Sequence, residues 1–381
     1  MVLNALWSMN YSFNIKQIHL IATTECNLRC KYCYEENKGG GAADINNLKL
    51  ALKSEFEKGG VEQKYLISFH GGEPFLAFNV INEICNWIWK AYSNYSVDVN
   101  IITNGTKLTP EIRNWIKNNK HRVIVAISID GLPEIHNINR NNSYQLIDID
   151  FYKSVYKRPF AKMTVSPNVV EHMSASFEFL YNLGFITNMT IAAEMEYTDE
   201  VLKKMSHEFM RIVEFYKSHC DIPVTEMFNL PLERLSPNFK FPMGQLHRCG
   251  IGRNRSAYDI VGNKYPCQTF ISDFKKYYDS IEYERINKCL EVNWYELIPC
   301  CADCAISTVC SPCYGLNYSK RKDLSKIDTN FCRVQKLIVK ASAYLWSIIL
   351  LNPDKYIWLK NISPVERKLK LEGIIEIQKR L

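Results

Sequence analysis

The sequence predicts an α/β chain. Its first part is a partial (β/α)6 TIM-type barrel, and a loop-rich, cysteine-stapled segment follows. Three observations carry this. Short apolar runs alternate with helical patterns up to about residue 220, as parallel sheets with right-handed crossovers require. Polar and glycine motifs stand where the apolar runs stop, at the strand ends where parallel barrels build sites. Nine cysteines fall in residues 249–332, where periodicity fades.

The elements follow in order. Residues 15–22 form an apolar strand running into a cysteine loop. A helix is expected over 48–56, then a strand over 65–69 that ends in His70-Gly71-Gly72-Glu73-Pro74. Residues 81–92 carry apolar side chains at helical spacing. The strand 97–102 ends in Thr103-Asn104-Gly105, and the strand 123–129 ends in Asp130-Gly131. Between them lies a helix over 111–117. Strands over 160–165 and 189–193, with helices over 174–183 and 200–216, complete six units. Four prolines then punctuate residues 223–242. The expected domains are a barrel over 1–220, a bridge over 221–248, a cysteine-rich domain over 249–335, and a C-terminal helix with a basic tail over 336–381.

The chain of 381 residues is 47% hydrophobic, enough for a large core or two packed domains. Its +7 charge is spread along the chain, so no nucleic-acid partner is expected. Residues 1–10 lack a signal-peptide pattern. The apolar run 337–351, broken by Lys340, reads as a packed helix too short to span a bilayer of about 30 Å. No membrane partner is expected, and the location is expected to be cytoplasmic. In that setting fourteen cysteines point to metal or cluster ligation rather than disulfides.

The sharpest signal is the run Thr24-Glu25-Cys26-Asn27-Leu28-Arg29-Cys30-Lys31-Tyr32-Cys33. Three thiolates this close can hold three corners of a cubane iron–sulfur cluster and leave one iron open to a small molecule. A structural zinc site would want a fourth ligand, and Cys30 and Cys33 are the one pair here with the usual spacing. His19 reads as packed rather than ligating.

Cys-x3-Cys-x2-Cys with Tyr32 before the last cysteine, at the end of the first strand, resembles the radical S-adenosylmethionine (SAM) superfamily. The resemblance covers about residues 15–220. Gly71, Gly72 and Glu73 match that family's GGEP motif, which faces the methionyl ammonium group. Asn104 matches the next strand end. Ser128, Asp130 and Arg140 match positions that hold the ribose and carboxylate of SAM, and Tyr32 an adenine contact. The chemistry is coherent: a zwitterion wants an acid and a base, and arginine grips a carboxylate bidentately.

Cys249-x12-Gly262-x4-Cys267, Cys301-x2-Cys304-x5-Cys310-x2-Cys313 and Cys332 resemble the SPASM extension of radical SAM enzymes that modify peptides. The resemblance implies two auxiliary 4Fe–4S clusters. One takes Cys249, Cys267 and Cys313, the other Cys301, Cys304, Cys310 and Cys332. The spacing before Cys313 is one residue shorter than usual, and no cysteine follows Cys249 closely. The fourth position of the first cluster is therefore open: empty, or filled by a non-cysteine ligand, by Cys300 or Cys289, or by the substrate. The central four cysteines alone also fit a zinc ribbon. Cys85 and Cys220 read as structural.

The resemblance implies an enzyme that cleaves SAM reductively to a 5′-deoxyadenosyl radical, which takes hydrogen from a residue of a ribosomally made peptide. The product is a thioether, a crosslink or an epimerised residue. The cofactors are SAM, the 4Fe–4S cluster that binds it and the two auxiliary clusters. The partners are the precursor peptide and an electron donor such as flavodoxin or ferredoxin; the first strand starts too early for a leader-binding module, so leader recognition is expected from a separate leader-binding protein, the barrel itself or the tail beyond Arg333. The alternative is an anaerobic sulfatase-maturating enzyme, but there an aspartate base directly follows the matching cysteine, whereas here Gln268 follows Cys267. An amide cannot take that proton. A non-catalytic electron-transfer or peptide-binding protein is the alternative of another class. Tyr258, Gln268 and Glu194 are candidate hydrogen acceptors, and 239–244 a candidate substrate contact.

Overall fold

The computed structural model describes residues 15–33, 35, 38–193, 195–235, 246, 247, 249–271, 279–310, 312–359 and 362–381. Glu194 and the segment 239–244 lie outside them. The six expected strands are β1 (Ile15–Thr23), β2 (Lys64–Gly71), β3 (Ser96–Thr103), β4 (Val123–Ser128), β5 (Phe160–Val165) and β6 (Ile186–Ile191). Two short strands join them, β7 (Arg255–Tyr258) and β8 (Lys264–Tyr265). Among the described residues the order is β6-β5-β4-β3-β2-β1-β7-β8, an open sheet. The pairs from β1 to β5 run parallel, as does β1 with β7, while β8 is antiparallel to β7.

The expected α/β fold with a partial parallel barrel is present. Local chemistry explains its elements. Helix Ile45–Gly59 starts at Asp44, whose side chain accepts from the Asn47 amide, and helix Pro110–Asn119 starts at Thr109 with proline in its first turn. Helix Phe78–Ala91 buries Val80, Ile81, Ile84, Cys85 and Ile88 on one side. Cys85 is therefore core, as expected.

The chain divides into two compact units that cut across the expected segments. The first holds residues 1–129, 136–162 and 244–294; the second holds 130–135, 163–243 and 295–381. The physical reason in the first unit is β7. It pairs with β1 in register, Gln17 opposite Arg255 and Leu20 opposite Tyr258, and so carries the Cys249–Cys267 stretch into the barrel sheet. In the second unit, helix Asp199–Ser218 packs on Thr329–Leu351. Thr329–Leu351 is longer than the apolar run suggested. It has the length and composition to cross a bilayer, and 56% of its most apolar window is buried in the fold. Trp346 Nε1 donates to the Phe228 carbonyl at 3.0 Å. The expected basic tail is a helix, Pro364–Arg380, capped by Ser363.

Candidate functional site

The cysteine loop leaves β1 and is pinned from three sides within the first unit. The first clamp is the Gly71-Gly72-Glu73 backbone. Gly72 N donates to the Thr23 carbonyl at 2.9 Å and Glu73 N to that of Glu25 at 2.7 Å. A Cβ on Gly72 would lie 2.0 Å from Glu25 O and 2.9 Å from Cys26 Cβ. Glycine is needed there because two backbones touch.

The second clamp is the β3 end. Asn104 Nδ2 donates to Asn27 Oδ1 at 2.9 Å, and Asn27 Nδ2 donates to Thr106 Oγ1 at 2.8 Å. The Glu73 carboxylate links this loop to β2. It accepts from the Phe75 amide, from Thr103 Oγ1 at 2.6 Å and from the Asn104 amide at 2.7 Å. Burial pushes the Glu73 carboxyl up, and those donors together with Arg140 pull against it. Three of its acceptor positions are thus taken by protein.

The third clamp is helix Pro133–Asn139 and Arg140. Lys31 N donates to the Asn139 carbonyl at 2.9 Å. The Arg140 guanidinium sits 5.3 Å from the centre of the Tyr32 ring, a cation–π approach. Arg140 is 6% exposed, and Ser128 at the β4 end is also buried. Asp130 belongs to the second unit, where its Oδ1 accepts from the Thr164 amide at 2.9 Å.

Cys26, Cys30 and Cys33 are partly buried and in no disulfide on this pinned loop. Cys26 Sγ accepts from the Leu28 amide, and Cys33 Sγ donates to the Glu35 carbonyl. Among the described residues no three His, Cys, Asp or Glu side chains are gathered tightly enough for a single metal ion. A cubane holds its thiolates further apart than one ion does. Three soft sulfur donors on a loop fixed at Gly72, Asn104 and Asn139, with a buried cation beside Tyr32, fit a cluster and a zwitterionic ligand.

The later cysteines form two sets. In the first unit, Cys267 is buried. Burial raises its thiol pKa, Cys249 adds to the rise, and Arg255 opposes it. In the second unit, a cavity of about 80 Å³ is lined by Cys301, Cys310, Cys313 and Cys332, with Lys320 and Asp328 at its wall. The Cys301 thiol is pushed up to about 12, by burial first and then by Cys300 and Cys332. Cys304 also raises Cys301 and Cys332. Iron must therefore displace protons from these thiols to bind. Cys313, expected with Cys249 and Cys267, here shares a cavity with Cys301, Cys310 and Cys332.

Several residues were missed by sequence reasoning. Asn27, Thr103 and Asn139 hold the loop through hydrogen bonds that no spacing announces. His19, expected to be packed, is buried with its ring 5.0 Å from that of His70. The alternation of polar residues along β1 and β2 was the available signal for that pair.

Residues 20–148 match the radical SAM superfamily. An uncharacterised protein of Methanocaldococcus jannaschii is 34% identical over 40% of this chain and 54% of its own length. The cysteine-type anaerobic sulfatase-maturating enzyme of Clostridium novyi is 28% identical over 50% of this chain and 49% of its own. The antilisterial bacteriocin subtilosin biosynthesis protein AlbA of Bacillus subtilis is 24% identical over 78% of this chain and 67% of its own. The chain thus spans about half the length of the first two relatives. The solved structure of anSMEcpe with bound AdoMet and a Cp18Cys peptide superimposes with a TM-score of 0.68 at 19% identity, over 88% of this chain and 98% of that one. It shows a shared fold.

Proposed function

We propose that this chain, an enzyme of the radical SAM superfamily related to sulfatase maturases and ribosomal-peptide maturases, matures a ribosomally made peptide. It leaves a thioether, a crosslink or an epimerised residue. The observation that carries the reading is the cysteine loop locked against Gly72, with Arg140 stacked on Tyr32. When bound, SAM and its cluster supply a 5′-deoxyadenosyl radical able to take hydrogen from an unactivated carbon. Cys26, Cys30 and Cys33 would hold the cluster. Arg140 would grip the carboxylate of SAM, and Tyr32 would pack on its adenine. Glu73, with three donors already on its carboxylate, braces the loops, and with the Gly72 backbone it would face the ammonium group. Burying Arg140 and Ser128 keeps water away from the ligand.

Two auxiliary clusters belong to the same proposal, one with Cys249 and Cys267 among its ligands and one with Cys301, Cys304, Cys310 and Cys332. So do an electron donor such as flavodoxin or ferredoxin and a separate leader-binding protein. Formylglycine formation is the second reading, favoured by the Clostridium novyi relative. Gln268 opposes it: its buried Oε1 has no hydrogen-bond partner, and its amide is no base. The test is anaerobic incubation of reconstituted, reduced protein with SAM. Release of 5′-deoxyadenosine is expected, with none from Cys30→Ala. No release from the fully reconstituted wild type would sink the enzyme reading.

A further inference from the structure

Alternation along the strands gives the first unit's sheet two unlike faces. On one face, Tyr65 meets Phe56 of helix Ile45–Gly59, and Tyr258 donates to Glu55 of the same helix. The opposite face carries Gln17, His19, His70 and Arg255. Arg255 stands across from Gln17 in register and donates through Nη2 to Gln17 Oε1 at 2.8 Å. His19 is two residues along β1, against His70. Lys162, opposite Ser128, lies on this face as well.

This face holds donors without acceptors. His19 is 8% exposed, and neither of its ring nitrogens has a hydrogen-bond partner. The buried Nε of Arg255 has none either. Such groups are costly to leave unpaired. His70 is pushed down to about 4 by burial, then by Lys162 and Arg255. His19 is pushed well down by burial, His70 and Arg255. No acid among the described residues acts on either histidine. Asp98, opposite Leu66 on the same face, acts on neither, so around the histidines the face pairs two uncharged imidazoles with two cations at neutral pH. Guanidinium and ammonium groups can only donate, and a carboxylate only accepts.

We propose that this face binds a carboxylate of the substrate peptide, from an acidic side chain or the chain terminus, held by Arg255 and His19. The inference rests on the peptide-maturase reading and narrows its substrate class. Arg255 supplies the Nε–H and the charge, and His19 adds a neutral N–H. An amide in the same position would bring its own N–H groups toward donors and lose the charge pairing.

The test uses reconstituted, unreduced holoenzyme, so that nothing turns over. It is titrated calorimetrically with three peptides: Ac-Gly-Glu-Gly-NH2, its glutamine counterpart Ac-Gly-Gln-Gly-NH2, and Ac-Gly-Gly-Gly-OH. At least one carboxylate peptide should bind about tenfold more tightly than the glutamine peptide, and which one identifies the source. Arg255→Gln should lose about that factor, while Arg255→Lys, which keeps the charge, should lose less. Equal binding of all three peptides, no binding up to about 10 mM, or unchanged binding by Arg255→Gln overturns the proposal. If Arg255→Gln does not fold, the peptide comparison on wild type decides alone. 5′-Deoxyadenosine release is measured separately. Release without carboxylate preference removes this inference alone. Carboxylate binding without release removes the maturase reading and leaves a binding face.

Discussion

Gly72→Ala is a small change with a large expected effect on the cluster loop. The added Cβ would lie 2.0 Å from Glu25 O, 2.4 Å from its carbonyl carbon and 2.9 Å from Cys26 Cβ. Two of these atoms are backbone, so no rotamer relieves the clash. Either the β2 end or the cysteine loop must move. Movement breaks the bonds from Gly72 N to Thr23 O and from Glu73 N to Glu25 O. Each is worth about 0.5–1.5 kcal/mol, and overpacking adds about 1–3 kcal/mol. The sum is about 2–6 kcal/mol, against a usual domain stability of about 5–15 kcal/mol. The unit should stay folded in the cold while the loop carrying Cys26 shifts. The assay is iron and sulfide content after anaerobic reconstitution, with the electron paramagnetic resonance of the reduced protein recorded with and without SAM. One cubane's worth of iron and the SAM-dependent spectral change should disappear. Melting should fall by roughly 2–4 °C per kcal/mol. Full iron content with an intact SAM response would show that the two backbones do not need this contact.

Two further outcomes are expected. Glu55, beneath β1, pairs with Lys16 at 3.2 Å and Lys264 at 2.6 Å and accepts from Tyr258. Burial raises its carboxyl pKa, but those partners win and lower it from 4.5 to about 2. Burial also pulls Lys16 down, so the shift of Glu55 is an upper limit on what the pair contributes. A depressed acid stabilises above its unfolded pKa, and that share fades as pH falls from about 4.5 to about 2. Glu55→Gln should therefore lose up to about 3 kcal/mol at pH 7 and flatten the acid limb of a urea-midpoint-versus-pH curve; parallel curves would contradict the sign. Arg140→Lys keeps the charge but loses the planar stack on Tyr32. With the bidentate grip on its carboxylate lost, SAM affinity by equilibrium dialysis should weaken about two- to tenfold, the ~0.5–1.5 kcal/mol of one hydrogen bond, and an unchanged Kd would remove Arg140 from the SAM site.

Much of the barrel was legible because its strands are regular. β1, β2, β3 and β5 set a buried apolar face, with Ile18, Leu20, Ile67, Val99 and Ile101, against a largely polar one, and β1 to β4 each stop at a motif. β7 was not legible. Arg255-Ser256-Ala257-Tyr258 is four residues long and half polar, and its place beside β1 depends on a partner more than two hundred residues away. The helix Pro364–Arg380 inside the basic tail was not foreseen, because residues 364–380 show little amphipathic pattern. Ser363 and Pro364 at its start were the available sign of a helix.

The candidate site divides in the same way. Cys26, Cys30, Cys33, Gly72 and Arg140 could be named from sequence because a cluster and a zwitterion demand particular atoms at particular spacings, and spacing is a property of the chain. Asn27 bound to Asn104, Glu73 held by Thr103, and His19 set against His70 and Arg255 came from the tertiary structure. Hydrogen bonds and burial of that kind join strands far apart in sequence. The chain alone determined which chemistry it is equipped for. The fold decided that the acid of the glycine motif is spent on bracing loops, and that cations and neutral histidines share one face of the sheet, because side-chain burial and partner distance exist only once the strands are laid side by side.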